Sequence, residues 1–141
     1  MPEQKEVKVF IIEDDFVFIE ILANLLDSLG DDLKEKNTRL NYQTFYSAKE
    51  AAFELSTNPE IVLLDYYIMD DELNTDTGTK LLKDIKTYNP LIDVLVISGQ
   101  ENPEIKEELV KNGATAYISK DEESLINLRP LLKEIILKHI K

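Results

Sequence analysis

The sequence predicts an α/β fold, a doubly wound parallel sheet of five strands with helices on both faces. Short apolar runs alternate with amphipathic stretches five times, which is typical of parallel strands joined by crossover helices. Two of the runs, Val7–Ile12 and Ile61–Asp65, end at or just before carboxylates. In open α/β sheets ligands bind at the carboxyl edge of the strands, so we expect a functional site there.

Length and composition indicate one domain, residues 1–141. The chain has a net charge of −12 and no cysteine, which excludes disulfides and thiolate metal sites and argues against a nucleic-acid partner. No apolar stretch approaches the roughly 20 residues of a membrane span, and the polar start is not that of a signal peptide. We therefore expect a cytoplasmic protein with neither a membrane nor a nucleic-acid partner.

Five runs have the apolar, β-branched or aromatic character of strands. The first, third and fourth are almost continuously apolar, which predicts strands buried on both faces. The second mixes aromatic and polar residues, and the fifth is short. The predicted strands are 7–12, 40–46, 61–65, 94–97 and 116–118.

The first two helices are predicted from periodicity and capping signals. The first runs from Phe16 to about Leu29, and Gly30 supplies its C-terminal stop. Ser47 and Glu50 form a capping box that begins the second, which extends to about residue 56. The apolar face predicted for the first helix is Phe16, Ile19, Leu22, Ala23 and Leu26.

The remaining helices follow the third, fourth and fifth strands. One runs from Gly78 to about residue 88 and is closed by Asn89-Pro90. Asn102 caps the next, with Pro103 at its first position, and Gly113 ends it. The last covers about 125–140 and contains Pro130, where we expect a kink or a restart of the helix.

Carboxylates follow two strands that can be neighbours in such a sheet. Glu13, Asp14 and Asp65 would then share one small space at its carboxyl edge. Clustered carboxylates repel unless a cation neutralises them, and all-oxygen ligation favours Mg²⁺ or Mn²⁺. A metal-bound carboxylate beside a phosphoryl group can attack phosphorus. The alternative is that these acids merely cap the helices that follow.

The fourth and fifth strands add a hydroxyl and an amine at the same edge. Ser98 is followed by Gly99, which leaves room for a phosphate, and Lys120 can hold a phosphoryl oxygen as a point charge. Taken singly, Lys120 would be interpreted as a solvated surface lysine, and Ser98 would be interpreted as an ordinary helix-entry residue. The set of acids, hydroxyl and amine indicates a phosphoryl-transfer site.

With these motifs, the whole chain resembles the receiver domain of two-component response regulators, in its single-domain form. The resemblance lies in the ordered set Glu13-Asp14, Asp65, Ser98-Gly99 and Tyr117-x-x-Lys120. It implies the flavodoxin-like strand order 2-1-3-4-5. It also implies a cytoplasmic phosphoprotein that takes part in phosphorelay signal transduction.

The resemblance assigns roles to these residues. It makes Asp65 the phosphoacceptor for a sensor histidine kinase or a histidine phosphotransfer protein. Mg²⁺, or Mn²⁺ in its place, is held by Asp14, Asp65 and the backbone carbonyl of Tyr67, with Glu13 acting directly or through water. Ser98 and Lys120 contact phosphoryl oxygens. Ser98 and Tyr117 form the switch, and the face of the fourth helix, fifth strand and fifth helix changes on phosphorylation.

The implied molecule is a switch that phosphorylates itself and slowly dephosphorylates itself, rather than a turnover enzyme. It is expected to be a monomer or a phosphorylation-dependent dimer. The chain ends with the fifth helix, so we expect output through an unknown downstream protein, onward phosphotransfer, or a domain outside this chain.

Departures from the family pattern leave alternatives open. The acidic loop 66–77 is longer than usual and lacks the methionine-proline pair, and Asp121 replaces the proline that follows the lysine. A receiver-like interaction module that is never phosphorylated therefore stays possible. An aspartyl-phosphate phosphohydrolase would place a general-acid aspartate where Tyr67 stands, and a flavin-binding protein would not place acids after its first strand. The single histidine, His139, is expected on the surface.

Overall fold

The computed structural model describes residues 3–68, 77–99 and 102–140. Its five strands form one sheet in the order β2-β1-β3-β4-β5, and every neighbouring pair is parallel. The predicted α/β fold and strand order are thus confirmed. The strands are β1 Lys5–Ile12, β2 Thr38–Phe45, β3 Ile61–Asp65, β4 Asp93–Ser98 and β5 Ala116–Ser119.

One α-helix follows each strand along the chain. Short 3₁₀ turns at Lys34–Lys36 and Leu55–Thr57 extend the first two helices. The helices are α1 Phe16–Leu33, α2 Ala48–Phe53, α3 Thr77–Tyr88, α4 Pro103–Lys111 and α5 Glu122–His139. None of the helices that the structure describes is both long and apolar enough to cross a membrane.

The sheet separates two apolar clusters, because successive strand residues point to opposite faces. In β3, Val62 and Leu64 face the cluster under α2, α3 and α4, whereas Ile61 and Leu63 face the cluster under α1 and α5. β1 and β4 alternate in the same way. Apolar residues on both faces explain why the central strands read as continuous hydrophobic runs.

α1 corrects the sequence prediction in two respects. It continues through Gly30 to Leu33, because its buried stripe of Phe18, Leu22, Leu26, Leu29 and Leu33 extends past the glycine. The chain turns only at Asn37, which has a φ of 51°. The predicted apolar face was partly wrong, since Phe16 is 72% exposed and lies edge-on against Tyr46.

α2 and α5 also differ from their predicted extents. α2 ends at Phe53, and the 3₁₀ turn after it closes at Asn58, whose φ is 62°. α5 is one unbroken helix that contains Pro130, so the predicted restart there is wrong. Pro130 lies on the exposed side of the helix. Leu128 before it and Leu132 after it are buried in the core, which keeps both halves of the helix in place.

The predicted N-caps of α2 and α4 are confirmed. Ser47 accepts a hydrogen bond from the backbone N–H of Glu50 at 3.2 Å, which is the N-cap bond of the predicted capping box. Asn102 accepts one from the N–H of Glu104 at 3.0 Å, with Pro103 as the first helical residue. The acidic part of the loop, residues 69–76, lies outside the described residues.

Candidate functional site

The strand register brings the predicted acids together. Ile12 of β1 is aligned with Leu64 of β3, so the residues that follow, Glu13 and Asp65, are neighbours at the carboxyl edge. Carboxylate oxygens of Glu13, Asp14 and Asp65 all lie within 4.8 Å of one another. Glu13 and Asp65 are only 2% and 5% exposed, whereas Asp14 faces solvent.

Backbone groups hold the two buried carboxylates in place. The N–H of Asp15 donates to Glu13 Oε1 at 3.1 Å, and the N–H of Tyr67 donates to Asp65 Oδ1 at 3.1 Å. Asp15 itself caps α1 by accepting from the N–H of Val17 at 2.9 Å. The first two acids of Glu13-Asp14-Asp15 therefore belong to the cluster, and the third serves the helix.

Lys120 supplies the positive charge of the site. Its Nζ lies 2.9 Å from Glu13 Oε2 and 3.9 Å from Asp65 Oδ1. Its backbone N–H donates to the carbonyl of Ser98 at 2.8 Å. Asp121, where the resemblance implies proline, caps α5 by accepting from the N–H of Ser124 at 2.7 Å. Lys120 thus reaches the acids without the proline.

Ser98 and Tyr117 lie on the neighbouring strands. Ser98 ends β4, is 1% exposed and is level with Ser119 of β5. Tyr117 is partly buried and, like Ile105 of α4, packs against the apolar cluster under α2, α3 and α4. Both residues are therefore near the elements that the predicted switch would move, but their roles stay predictions.

Glu13 and Asp65, the two buried carboxylates of the cluster, both have raised pKa values. Burial raises the pKa of Glu13 from 4.5 to about 7, against the hydrogen bond from Lys120 and with the help of the nearby Asp65 charge. Burial likewise raises the pKa of Asp65, against the charge of Lys120. One ammonium thus does not offset the burial of two carboxylates beside a third.

The donor set fits a hard divalent cation. Three carboxylates within reach of one point offer only oxygen ligands, which suit Mg²⁺ and Mn²⁺. A cation there would also lower the two raised pKa values, because it favours the ionised carboxylates. The residues present are therefore compatible with such an ion.

Two neighbours of the site were missed by sequence reasoning. The Phe18 ring centroid lies 4.5 Å from Lys120 Nζ. Gly78 of α3 lies so close to the backbone of Tyr66 that a Cβ there would be 2.9 Å from Tyr66 Cα. No sequence pattern connects Phe18 with Lys120, since only the fold brings α1 to the end of β5. The sequence predicts Gly78 as the start of a helix, but not its close approach to Tyr66.

Comparison with known proteins identifies the family. Residues 9–129 match the family model described as the response regulator receiver domain. The chain therefore belongs to the response regulator receiver domain family, whose members are signalling switches of two-component systems.

Individual relatives agree with this membership. The transcriptional regulatory protein ZraR of Klebsiella oxytoca is 29% identical over 116 residues, which are 82% of this chain and 23% of that protein. The chain thus spans about a quarter of the length of this curated relative.

Solved structures share the fold. A response regulator from Thermotoga maritima is 21% identical with a TM-score of 0.74, over 93% of this chain and 98% of that one. The Mn²⁺-bound form of response regulator Rcp1 is 16% identical with a TM-score of 0.69, over 89% and 91% of the two chains.

Proposed function

We propose that this protein is a phosphoacceptor switch that takes a phosphoryl group on Asp65 in a Mg²⁺-dependent reaction. The observation that carries the proposal is the constellation of buried Asp65, the acids Glu13 and Asp14 within 4.8 Å, and the Lys120 ammonium 3.9 Å from Asp65. A nucleophile, a cation site and a positive charge for phosphoryl oxygens are what such a transfer requires.

The donor is a sensor histidine kinase or a histidine phosphotransfer protein. An oxygen of Asp65 forms the new bond to phosphorus, while the bond from phosphorus to the donor nitrogen breaks and the imidazole leaves with the electron pair. Lys120 stabilises the charge on the phosphoryl oxygens, and the Ser98 hydroxyl donates a hydrogen bond to one of them. Later a water molecule slowly attacks phosphorus, the bond from phosphorus to the Asp65 oxygen breaks, and inorganic phosphate leaves the restored carboxylate.

The cation proposed is Mg²⁺, with Mn²⁺ as a substitute. Its ligands are the side chains of Asp14 and Asp65 and the carbonyl of Tyr67, with Glu13 bound directly or through water. When bound, the ion neutralises charge on the carboxylates and phosphoryl oxygens. The Rcp1 structure, named as Mn²⁺-bound, supports this choice of metal within the shared fold.

The switch itself involves Ser98 and Tyr117. Phosphorylation shifts an existing equilibrium, and Tyr117 turns inward as Ser98 moves toward the phosphoryl group. The face of α4, β5 and α5 then presents a different surface to a downstream protein, or to a second copy as a phosphorylation-dependent dimer. The partly buried position of Tyr117 beside α4 supports this assignment.

The test is phosphoryl uptake from acetyl phosphate, followed by intact mass. We expect one Mg²⁺-dependent adduct that hydroxylamine removes, and its absence in Asp65→Asn. Asp15→Asn is the matched control, because it removes a nearby carboxylate while Asn still caps α1. It should be phosphorylated like the wild type.

Two other outcomes distinguish the alternatives. No adduct under any condition, with a protein phosphodonor included, would favour an interaction module that is never phosphorylated. Release of many phosphate molecules per protein molecule would instead favour a phosphohydrolase. Tyr67 carries a phenol rather than the carboxyl group of the general-acid aspartate that such an enzyme would place there, which counts against this alternative.

A further inference from the structure

The ammonium of Lys120 has an aromatic neighbour besides its two carboxylates. Lys120 Nζ lies over the Phe18 ring at 4.5 Å from the centroid, well within the roughly 6 Å over which a cation is attracted to a ring face. Phe18 is 5% exposed and sits in the first turn of α1, just after the cap residue Asp15. The ring is thus held in place by the helix and core.

Such a contact is strongest where water is excluded. The Lys120 side chain is 20% exposed and its partner Glu13 is 2% exposed. Burial of the ammonium makes it costly to lose a favourable neighbour, because little water remains to replace it. The ring also restricts a long side chain that would otherwise sample many rotamers.

Glu13 and Phe18 differ in what they do when a cation enters the site. Glu13 is 2.9 Å from the ammonium and also belongs to the carboxylate cluster that fits a divalent cation. A carboxylate that neutralises a metal ion attracts Lys120 less strongly. The Phe18 ring is no ligand for Mg²⁺, so its attraction for the ammonium persists.

We infer that Phe18 is a positioning residue that holds the Lys120 ammonium beside Asp65 during phosphoryl transfer. This inference rests on the proposed function of Asp65 and Lys120. When Glu13 neutralises the cation and attracts Lys120 less strongly, the Phe18 ring still holds the ammonium in place.

The test replaces Phe18 with phenylalanines that carry one, two or three fluorines, incorporated by amber suppression. Each fluorine withdraws electron density from the ring face while changing the size of the ring little. We expect the rate of phosphorylation by acetyl phosphate at saturating Mg²⁺ to fall progressively, to about a third to a tenth for the trifluoro form. The same rate across the series would overturn the inference.

A matched series at Phe45 separates this effect from general packing. Phe45 is 4% exposed and packs edge-on against Phe10. Fluorination there should leave the rate unchanged, and fluorination at Phe18 should lower the rate while leaving Mg²⁺ affinity unchanged. An equal fall of the rate in both series would assign the effect to packing and overturn the inference.

A second readout does not depend on phosphorylation. A ring beneath Lys120 shifts the NMR signals of its ε-methylene protons upfield, and Phe18→Leu should abolish that shift. A wild-type protein without the shift would overturn the inference even if phosphate uptake is normal. A shifted methylene in a protein that takes up no phosphate would instead contradict the proposed function and leave the ring contact established.

Discussion

Glu13 is the residue whose charge depends most on its surroundings. Burial, opposed by Lys120 and helped by the charge of Asp65, raises its pKa from 4.5 to about 7. Because the folded value lies above the unfolded one, this group contributes stability that is complete below pH 4.5 and is lost as the pH rises through about 7. In the metal-free protein, ionised Glu13 therefore works against folding.

We predict that Mg²⁺ raises the melting temperature more above pH 7 than below it, because protons and the cation compete for Glu13. Thermal unfolding with and without Mg²⁺ on either side of that pH measures the effect. In Glu13→Gln the Mg²⁺-dependent shift should be smaller and depend less on pH, with Asp65 as the remaining buried carboxylate. A wild-type shift that is the same at both pH values would contradict this role.

Asp14 is the exposed member of the acid cluster, so its removal should disturb the fold little. Asp14→Ala should weaken Mg²⁺ binding by about tenfold or more, since a carboxylate ligand is lost. Isothermal titration calorimetry measures the affinity, with Asp15→Asn as the control that keeps it. Unchanged affinity in Asp14→Ala would remove this residue from the site.

Among the elements, the start of α3 packs closely against the end of β3, the strand that carries Asp65, the proposed nucleophile. A Cβ on Gly78 would be 2.9 Å from both the Cα and the carbonyl carbon of Tyr66, the residue after Asp65. These are backbone atoms, so they can give way only if the chain after β3 moves. Gly78 thus permits the close approach of α3 to the site.

We predict that Gly78→Ala destabilises the protein by about 1–3 kcal/mol through this overlap. Gly30→Ala is the matched control, because a Cβ there meets nothing within 4 Å inside a helix. It should be neutral or stabilise by up to about 1 kcal/mol, as alanine favours helix. Chemical denaturation of both variants tests this, and equal stabilities would contradict the fitted contact.

The opposite edge of the sheet is tied to the end of α5. Asp93, the first residue of β4, accepts a hydrogen bond from Thr115 at 2.7 Å and lies 2.7 Å from Nε2 of His139. His139, expected on the surface, has a side chain that is only 17% exposed. Burial raises the pKa of Asp93, but Thr115, His139 and Lys138 together lower it below 3.8.

A carboxylate whose pKa is lowered by folding stabilises the protein at pH values above its pKa in the unfolded chain. That contribution is lost as the pH falls through its pKa in the folded protein. Asp93→Asn should therefore cost about 1–2 kcal/mol at neutral pH. The cost should shrink as the pH falls below 3.8, because the carboxylate is protonated there first in the unfolded chain and at still lower pH in the folded protein. Urea unfolding over a pH series checks this, and a cost independent of pH would show that the charge of Asp93 does not matter.

At the scale of the whole molecule, patterns local in sequence were predicted best. The strands, the Ser47 capping box and the start of α4 at Pro103 follow from periodicity and capping chemistry. The positions of Glu13 and Asp65 follow from the parallel register. The overall strand order came from family resemblance rather than from residue patterns.

What depends on tertiary packing was predicted poorly. The sequence predicts that α1 stops at Gly30 and that α5 breaks at Pro130. Both helices continue instead, because each has buried residues before and after that position. The contact of Phe18 with Lys120 joins the first turn of α1 to the end of β5, and no local pattern announces it.

The switch mechanism predicts a change that extends from the site to α4, β5 and α5. Phosphorylation should shift backbone NMR signals in these elements, and Tyr117→Ala should spare phosphate uptake but reduce the shifts in α4. Tyr88→Ala is the control, since that tyrosine is 49% exposed at the end of α3. Unreduced shifts in Tyr117→Ala would argue against a tyrosine switch.

Asp65, rather than another carboxylate of the cluster, is the proposed acceptor of the phosphoryl group. Borohydride reduces an aspartyl phosphate to homoserine, which marks the modified position for tandem mass spectrometry. After treatment with acetyl phosphate and Mg²⁺, we predict homoserine at position 65 alone. Homoserine at position 14 or 15, a reduced glutamate at position 13, or no reduced residue would contradict the account.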